Sequence, residues 1–553
     1  MLLFLSRRCQ KKRPTPSRRG FFGLPVLLLL AGYTAIFYWR AFASGVISDG
    51  WVLLEIGSRG LARAPFAILS YHAIPVANLF IAILWKLFGL KEPWYQLLNL
   101  AELTTVGWLL YRLGRHLFAE ARIGLLASLL FLSNSSFYDV PLWPVVGNFH
   151  SLSALLYLAA LFAVHRAVRS ARPATWVWSF ALASLAAFFT YEPAVSVLAA
   201  GLFYAVLVPV GAAEPGGGRT GLARARLLAP ALLTAAAVIL ASKVWAAAAG
   251  HTALIPPNGL EGLVIRLYLL VRACIALFSL RGADPALYAV FSFGSFTPIG
   301  TRAFHAFLGA WLLVLTGSAA ILVWKAREPT VRLLVLWLAA HLLAVSAGVD
   351  IVSRHFYLAA LPASLLTSWA LWRGADRMAS ALARLPSFDG LGMSPSQAGA
   401  VLVLPIVTLL AAGARTDLDS AAAVHLEATQ ATRQITDLVH RRLLASAAPP
   451  RVVLVNMPAI LIRDGMAAFT FGNGLTEQLR LTTAGRVYWP LSVYTRTDEA
   501  PGTFADKSQP ITLSGLSALV RDPGVLVLMF DPRSRTVVEL DRQILEALVT
   551  GTI

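Results

Sequence analysis

Apolar runs of about the ~20 residues needed to cross a bilayer recur along most of this chain, separated by short polar stretches. The pattern predicts full spans near 22–42, 95–112, 123–137, 148–165, 175–190, 194–211, 227–247, 303–324, 331–349, 356–372 and 397–414. Two further runs, 74–90 and 262–280, fit either a span or a segment lying along the membrane surface. After Arg415 the pattern changes. "TDLDSAAAVHLEATQATRQITDLVHRRLL" reads as an amphipathic helix, and "RVVLVNM", "RVYWPLSVYT", "GVLVLMF" and "TVVEL" read as short strands between turns. The fold class expected is an all-α polytopic transmembrane bundle of about 11 to 13 segments, followed by a small soluble α/β domain. The organisation expected is a basic N-terminus (1–20), a membrane domain (21–414) whose first outer loop is 43–73, and the soluble domain (415–553).

Composition supports that class: of 553 residues 57% are hydrophobic and 14% charged. The formal charge of +19 would suit a polyanion, but the arginines sit mostly in short loops, where positive-inside bias accounts for them, so no nucleic acid partner is expected. Cys9 and Cys274 lie in a basic tail and an apolar run, which indicates neither a disulfide framework nor a thiolate metal site. The first span follows the basic "RRCQKKRPTPSRR" and is expected to be a retained span, not a removed signal peptide, with the N-terminus cytoplasmic.

The charge rule also decides the two ambiguous runs. If neither spans, the loops carrying Arg112, Arg115, Arg122, Arg166, Arg169, Arg172, Arg219, Arg224 and Arg226 all face the cytoplasm. The same arrangement places loop 45–75, "NSSFYDVPLWPVVGNF", the "TYEP" corner, region 248–302, the "DIVSRHF" turn and the soluble domain on the other side. Those loops hold most of the unusual polar residues. Such a cluster beside an apolar bundle suits a lipid-linked substrate, whose tail stays in the bilayer while its head reacts in water.

The order of motifs resembles the GT-C superfamily of multi-span glycosyltransferases, which includes the dolichyl-phosphate-mannose protein mannosyltransferases and their bacterial relatives. Asp49 in "SDGW" stands where that family has an acidic residue in its first outer loop. "VPLWPVVGNFHSLSALLYLAALFAV", "FFTYEPAVSVL" and "SRHFYLAALPASLL" are similar, in the same order, to later family segments, and the resemblance covers roughly 20–372. Departures are present: Gly50 follows Asp49 where many relatives have a second acid, and Tyr71–His72 stands where some have Arg-Pro.

The resemblance implies transfer of a sugar from a polyprenyl-phosphate carrier to a glycan, lipid or protein acceptor outside the cytoplasm, with inversion. It implies a bacterial cytoplasmic membrane as the setting. An acceptor hydroxyl needs a base, for which Asp49 is the candidate, and a departing lipid phosphate needs cations, for which Arg354, His355, Lys243, Arg266 and Arg272 are candidates. Glu55, His72, Asp139 and Glu192 complete the candidate substrate-binding set.

Structural roles compete with each of these. Asp49 and Glu192 suit helix caps, Asp139 a solvent-facing loop, and His72 a satisfied interface position. Arg354 and His355 suit snorkelling at a helix end, Lys243, Arg266 and Arg272 suit phospholipid heads, and Trp51, Trp85, Trp94 and Trp143 suit an aromatic belt. No metal ligand set and no cofactor are indicated, although the resemblance leaves a divalent metal open. The alternatives to a transferase are a flippase or transporter of a lipid-linked glycan and a ligase that moves a whole oligosaccharide.

Overall fold

The computed structural model describes residues 23–67, 73–210, 219–248, 270, 274–281, 328–346, 353–382, 395–445, 449–458, 460–464, 466–470, 474–487, 492–496 and 509–550. The candidate span 303–324, most of 262–280, and the site candidates His72, Arg266 and Arg272 lie outside these residues.

Apolar runs become helices as their composition dictates. They are α1 (Gly23–Phe37), α2 (Asp49–Ser58), α3 (Pro75–Phe88), α4 (Glu92–Phe118), α5 (Ala121–Leu132), the short α6 (Asp139–Leu142), α7 (Pro144–Arg169), α8 (Ala174–Phe188), α9 (Ser196–Leu207), α10 (Gly221–Ala248), α11 (Pro329–Ser346), α12 (Ala360–Leu382) and α13 (Pro395–Ala445). Proline opens α3, α4 and α7 within their first two residues, where its missing N–H costs nothing. By length and composition, Pro144–Arg169, Gly221–Ala246 and Gln397–Ala445 are the described helices able to cross a membrane on their own. Shorter apolar helices accompany them, and several give way to 3-10 turns at one end: Ser135–Phe137 after α5, Glu192–Val195 after α8, and Ser353–Phe356 before α12.

The bundle therefore has two unlike ends. At one, Arg112, Arg115, Arg166 and Arg169 surround His116, Arg122 lies over the Trp372 ring, and Arg224 donates to the Val208 carbonyl at 2.6 Å. The 3-10 turns collect at the other, with loop 43–67. The starts of α3 and α4 also lie there: the Val76 N–H donates to Phe189 O at the close of α8, and Glu92 pairs with Arg433 of α13 at 2.9 Å.

Close approach of backbones holds the bundle together. A Cβ on Gly124 would stand 2.5 Å from Tyr111 O, so α4 and α5 touch only because that position is glycine. On the same pair of helices Ser128 donates from Oγ to Gly107 O at 2.7 Å.

The span at 397–414 and the amphipathic segment after Arg415 form one helix, α13, so the domain boundary expected at 415 falls inside a continuous element. Where α13 emerges, Arg415 reaches the C-terminal carbonyls of α1. Beyond it a five-stranded sheet forms in the order β5-β4-β1-β6-β7, from β1 (Arg451–Val455), β4 (Ser492–Arg496), β5 (Gln509–Ile511), β6 (Val525–Asp531) and β7 (Thr536–Glu539). Strand β1 pairs in parallel with β4 and β6, and β7 closes the edge antiparallel to β6. The continuous run of buried residues in β6, Val525–Phe530, is what a strand covered on both faces requires. A separate hairpin of β2 (Ile460–Arg463) and β3 (Met466–Phe469) packs on α13, and α14 (Leu475–Thr482) packs on α2. Helices α15 (Leu513–Arg521) and α16 (Arg542–Thr550) complete the domain.

The polarity of the bundle makes a topological prediction. In a variant lacking native cysteines, Ser58→Cys and Ser514→Cys should react with an impermeant thiol reagent from one side of the membrane and Ser170→Cys only from the other. Labelling of position 170 from the same side as 58 and 514 would contradict the arrangement.

Candidate functional site

At the polar end the buried turn around Asp139 is built first by α4. Gln96 and Asn99 donate their side-chain amides to Pro141 O and Val140 O, both at 2.7 Å, so the carbonyls of the short α6 are satisfied without water. Gly147 lets α7 pass beneath: a Cβ there would be 2.1 Å from Val140 O. Asp139 thus sits with no exposed surface, not in a solvent-facing loop. Ser353 donates to its Oδ2, and Nε2 of His425, on α13, lies 3.4 Å from its Oδ1. Burial pushes the Asp139 carboxyl up, but the His425 hydrogen bond and charge, then Arg354 and Ser353, outweigh it and hold the group below the ordinary carboxylate range.

The Ser353 contact fixes the turn that carries Arg354. The guanidinium lies 5.4 Å from the Trp143 ring centroid and 5.5 Å from that of Phe469. Those rings stack at 5.7 Å, so the β2–β3 hairpin of the C-terminal domain lays Phe469 directly on the membrane-domain tryptophan. Tyr138 seals the junction, its hydroxyl donating to Ala467 O at 3.2 Å. Trp143 has 0% exposure and Trp51 3%, so neither belongs to an aromatic belt; their indole N–H groups donate to Ile47 O and Val46 O at 2.9 and 2.8 Å.

Those two bonds shape the approach to Asp49. The residue is the first of α2, partly exposed, with Ser48 rather than Asp49 at the cap position. A carboxylate in a first helical turn is favoured by the helix dipole. Next to it Gly50 faces the Trp143 indole, 3.3 Å from where a Cβ would be, so the Asp49 segment and Arg354 both border the same indole ring. Ser48 has φ 44°, an uncommon conformation for a residue with a side chain. Gly474, at the start of α14, allows it: a Cβ at Gly474 would be 2.0 Å from Ser48 O. The strained step before Asp49 is thereby clamped by the C-terminal domain.

The remaining candidates fall into two groups. Glu55, 4% exposed, is held between Arg59 and Arg480 and ties α2 to α14. Glu192 and Lys243 form one ion pair at 2.6 Å, beneath which lies the Phe188 ring. The His355 ring lies 6.0 Å from Tyr191, whose ring is 4.7 Å from His150 on α7, while the His355 carbonyl accepts from His341 at 3.2 Å. Arg354 acts electrostatically on both His150 and Tyr191. Among the described residues, His150 Nε2, Tyr191 Oη and Arg354 Nη1 are buried and make no hydrogen bond. An unpartnered buried polar atom costs about 1–3 kcal/mol, so three together mark a place for a polar ligand or water.

Sequence reasoning missed Ser353, His425, His150, Tyr191 and Phe469 as site residues. His425 carried a signal: it lies on the buried Ala421–Ala422–Val424–Ala428 face of an amphipathic helix. Among the described residues no group of three or more His, Cys, Asp or Glu side chains could hold a metal ion. The cation next to Asp139 and the stacked rings is Arg354.

The clamp at Ser48 is directly testable. Gly474→Ala must displace either α14 or the Asp49 segment and adopt a left-handed φ of 82°, so it should destabilise the protein by about 1–3 kcal/mol. Unaltered thermal unfolding of the purified variant would show that Gly474 and Ser48 are not pressed together.

A family model described as dolichyl-phosphate-mannose-protein mannosyltransferase matches residues 71–216, a segment that includes the Asp139 turn, Trp143, His150 and Glu192. No curated protein matches the chain in sequence. Among solved structures, ArnT from Cupriavidus metallidurans bound to undecaprenyl phosphate is 13% identical, with 94% of each chain covered and a TM-score of 0.45. The oligosaccharyltransferase AglB from Archaeoglobus fulgidus, in complex with an inhibitory peptide and a dolichol-phosphate, is 13% identical, with 95% of this chain and 75% of that one covered and a TM-score of 0.46. The motif order and the family model meet on the same stretch, and there the chain resembles the GT-C membrane glycosyltransferases.

Proposed function

We propose that this protein is an integral membrane glycosyltransferase that moves a single hexosyl or pentosyl unit from a polyprenyl-phosphate donor to an acceptor hydroxyl. The setting is the non-cytoplasmic face of a bacterial cytoplasmic membrane, with the arginine-rich end of the bundle inside and the C-terminal domain outside. One observation carries the reading. Arg354, with a buried and unpartnered Nη1, stands at the polar end of an apolar bundle, bordering the same indole ring as the segment that presents Asp49.

The chemistry follows from that placement. The acceptor oxygen attacks the anomeric carbon while its proton passes to the Asp49 carboxylate. The bond between the anomeric carbon and the phosphate oxygen breaks with its electron pair on oxygen, and the growing charge meets the Arg354 guanidinium. Attack opposite the departing phosphate inverts the anomeric centre. His150 and Tyr191 offer neutral polar atoms for sugar hydroxyls. Glu192 and Lys243, already paired, border the same end. Trp143 and Phe469 exclude water from one side of Arg354, which strengthens its attraction for phosphate.

The assay is incubation of the purified full-length protein with a polyprenyl-phosphate sugar and candidate acceptors, following free polyprenyl phosphate. Asp49→Asn should leave the protein folded and lower turnover by about 100-fold or more. Arg354→Ala should lower turnover more than donor affinity, because its contact strengthens as the bond breaks. Acceptor-independent scrambling of the sugar lipid in vesicles, retained by both variants and without bond cleavage, would replace the transferase by a flippase.

A further inference from the structure

A fully buried carboxylate beside an arginine has an obvious partner. If Asp139 paired with Arg354, the pair would be neutral and the guanidinium would have little attraction left for an anion. Two contacts draw the carboxylate the other way. Ser353 donates to Oδ2, and His425 presents Nε2 to Oδ1 at 3.4 Å with both side chains 1% exposed. The His425 ring is held on the apolar face of α13 with Tyr138 edge-on at 6.1 Å. The helix that carries it is itself pinned to the polar end, since Gly45 N–H donates to Thr429 Oγ1 at 3.0 Å and Arg433 pairs with Glu92 at 2.9 Å. It is also tied to the C-terminal domain, as Gln434 Oε1 accepts from Val537 N at 2.9 Å and Gln478 donates to Thr436 Oγ1 at the same distance.

We propose that His425 is a positioning residue of the transfer site: by engaging Asp139 from the C-terminal side it keeps the carboxylate off Arg354, so that the guanidinium stays open to a phosphate anion. The proposal rests on the phosphate role given to Arg354 above. It gives the C-terminal domain a function beyond packing, because α13, which carries His425 to Asp139, is the same helix on which the β2–β3 hairpin and β7 of that domain pack. Phosphate affinity and seating of the domain are then linked through one side chain.

The test is binding of polyprenyl phosphate, without any sugar acceptor, to the purified full-length protein in lipid nanodiscs. His425→Leu removes the imidazole beside Oδ1 at similar volume, and Asp139 turns toward Arg354; binding should weaken by roughly tenfold, equivalent to about 1.4 kcal/mol. His425→Gln keeps a polar side chain there and should bind within about threefold of the wild type. The decisive variant is His425→Leu with Asp139→Asn: with the competing anion removed, binding should recover at least half of the logarithmic loss. A purely structural histidine predicts further weakening there, since the second change deletes another buried contact. If His425→Leu does not fold, the comparison of His425→Gln with His425→Gln/Asp139→Asn still applies, and weaker binding by the double variant overturns the proposal. Wild-type-like binding by His425→Leu also overturns it while leaving the phosphate role of Arg354 intact. A wild-type protein that binds no polyprenyl phosphate overturns both.

Discussion

A carboxylate with no exposed surface stays ionised only if its neighbours replace the water it has lost, and for Asp139 those neighbours are the Ser353 hydroxyl, which donates to Oδ2, and the His425 imidazole, 3.4 Å from Oδ1. Those neighbours come from distant parts of the chain: Ser353 from the turn before α12, and His425 from the long helix α13. This buried carboxylate therefore joins the α5–α7 connection, the Arg354 turn and the C-terminal domain. Breaking a buried pair by removing one partner is costly, about 3–5 kcal/mol in other proteins, and this makes the junction an anchor for the whole polar end.

Around that anchor the bundle divides its two ends by chemistry. Arginines and histidines gather where α4, α7 and α9 finish, and no site candidate of the sequence lies among them. At the opposite end helices stop early and pass through 3-10 turns, which brings Asp49, Asp139, Glu192 and Arg354 to one end of an otherwise apolar body. A lipid phosphate partitions in the same way, with its tail among apolar helices and its head among polar turns. The C-terminal domain covers this end through Phe469 on Trp143, Gly474 on Ser48 and Arg480 on Glu55.

The apolar bundle and strands β1, β4, β6 and β7 were legible because hydrophobic period and run length report directly on local structure, whereas β5 and the β2–β3 hairpin were not read from the sequence. Gathering of the described polar loops at one end was legible too, through the arginines that mark the other end. Less could be read at the level of single side chains. Trp143 looks like a belt residue until Ile47 O and Phe469, both remote in sequence, enclose it. His425 gains meaning only from Asp139, and nothing local in "AAAVHLEA" announces that partner. The conformation of Ser48 is equally hidden, since it depends on a glycine in another domain. Contacts between domains, rather than propensities within segments, decide which polar residues become a site.

The account turns on where a lipid phosphate sits, and a cryo-electron microscopy map of the full-length protein with polyprenyl phosphate locates it directly. The phosphate is predicted within hydrogen-bond reach of the Arg354 guanidinium, beneath the Trp143–Phe469 stack and on the Asp49 side of the bundle. A phosphate bound instead among Arg112, Arg115, Arg166 and Arg169, with Arg354 paired to Asp139, would contradict it.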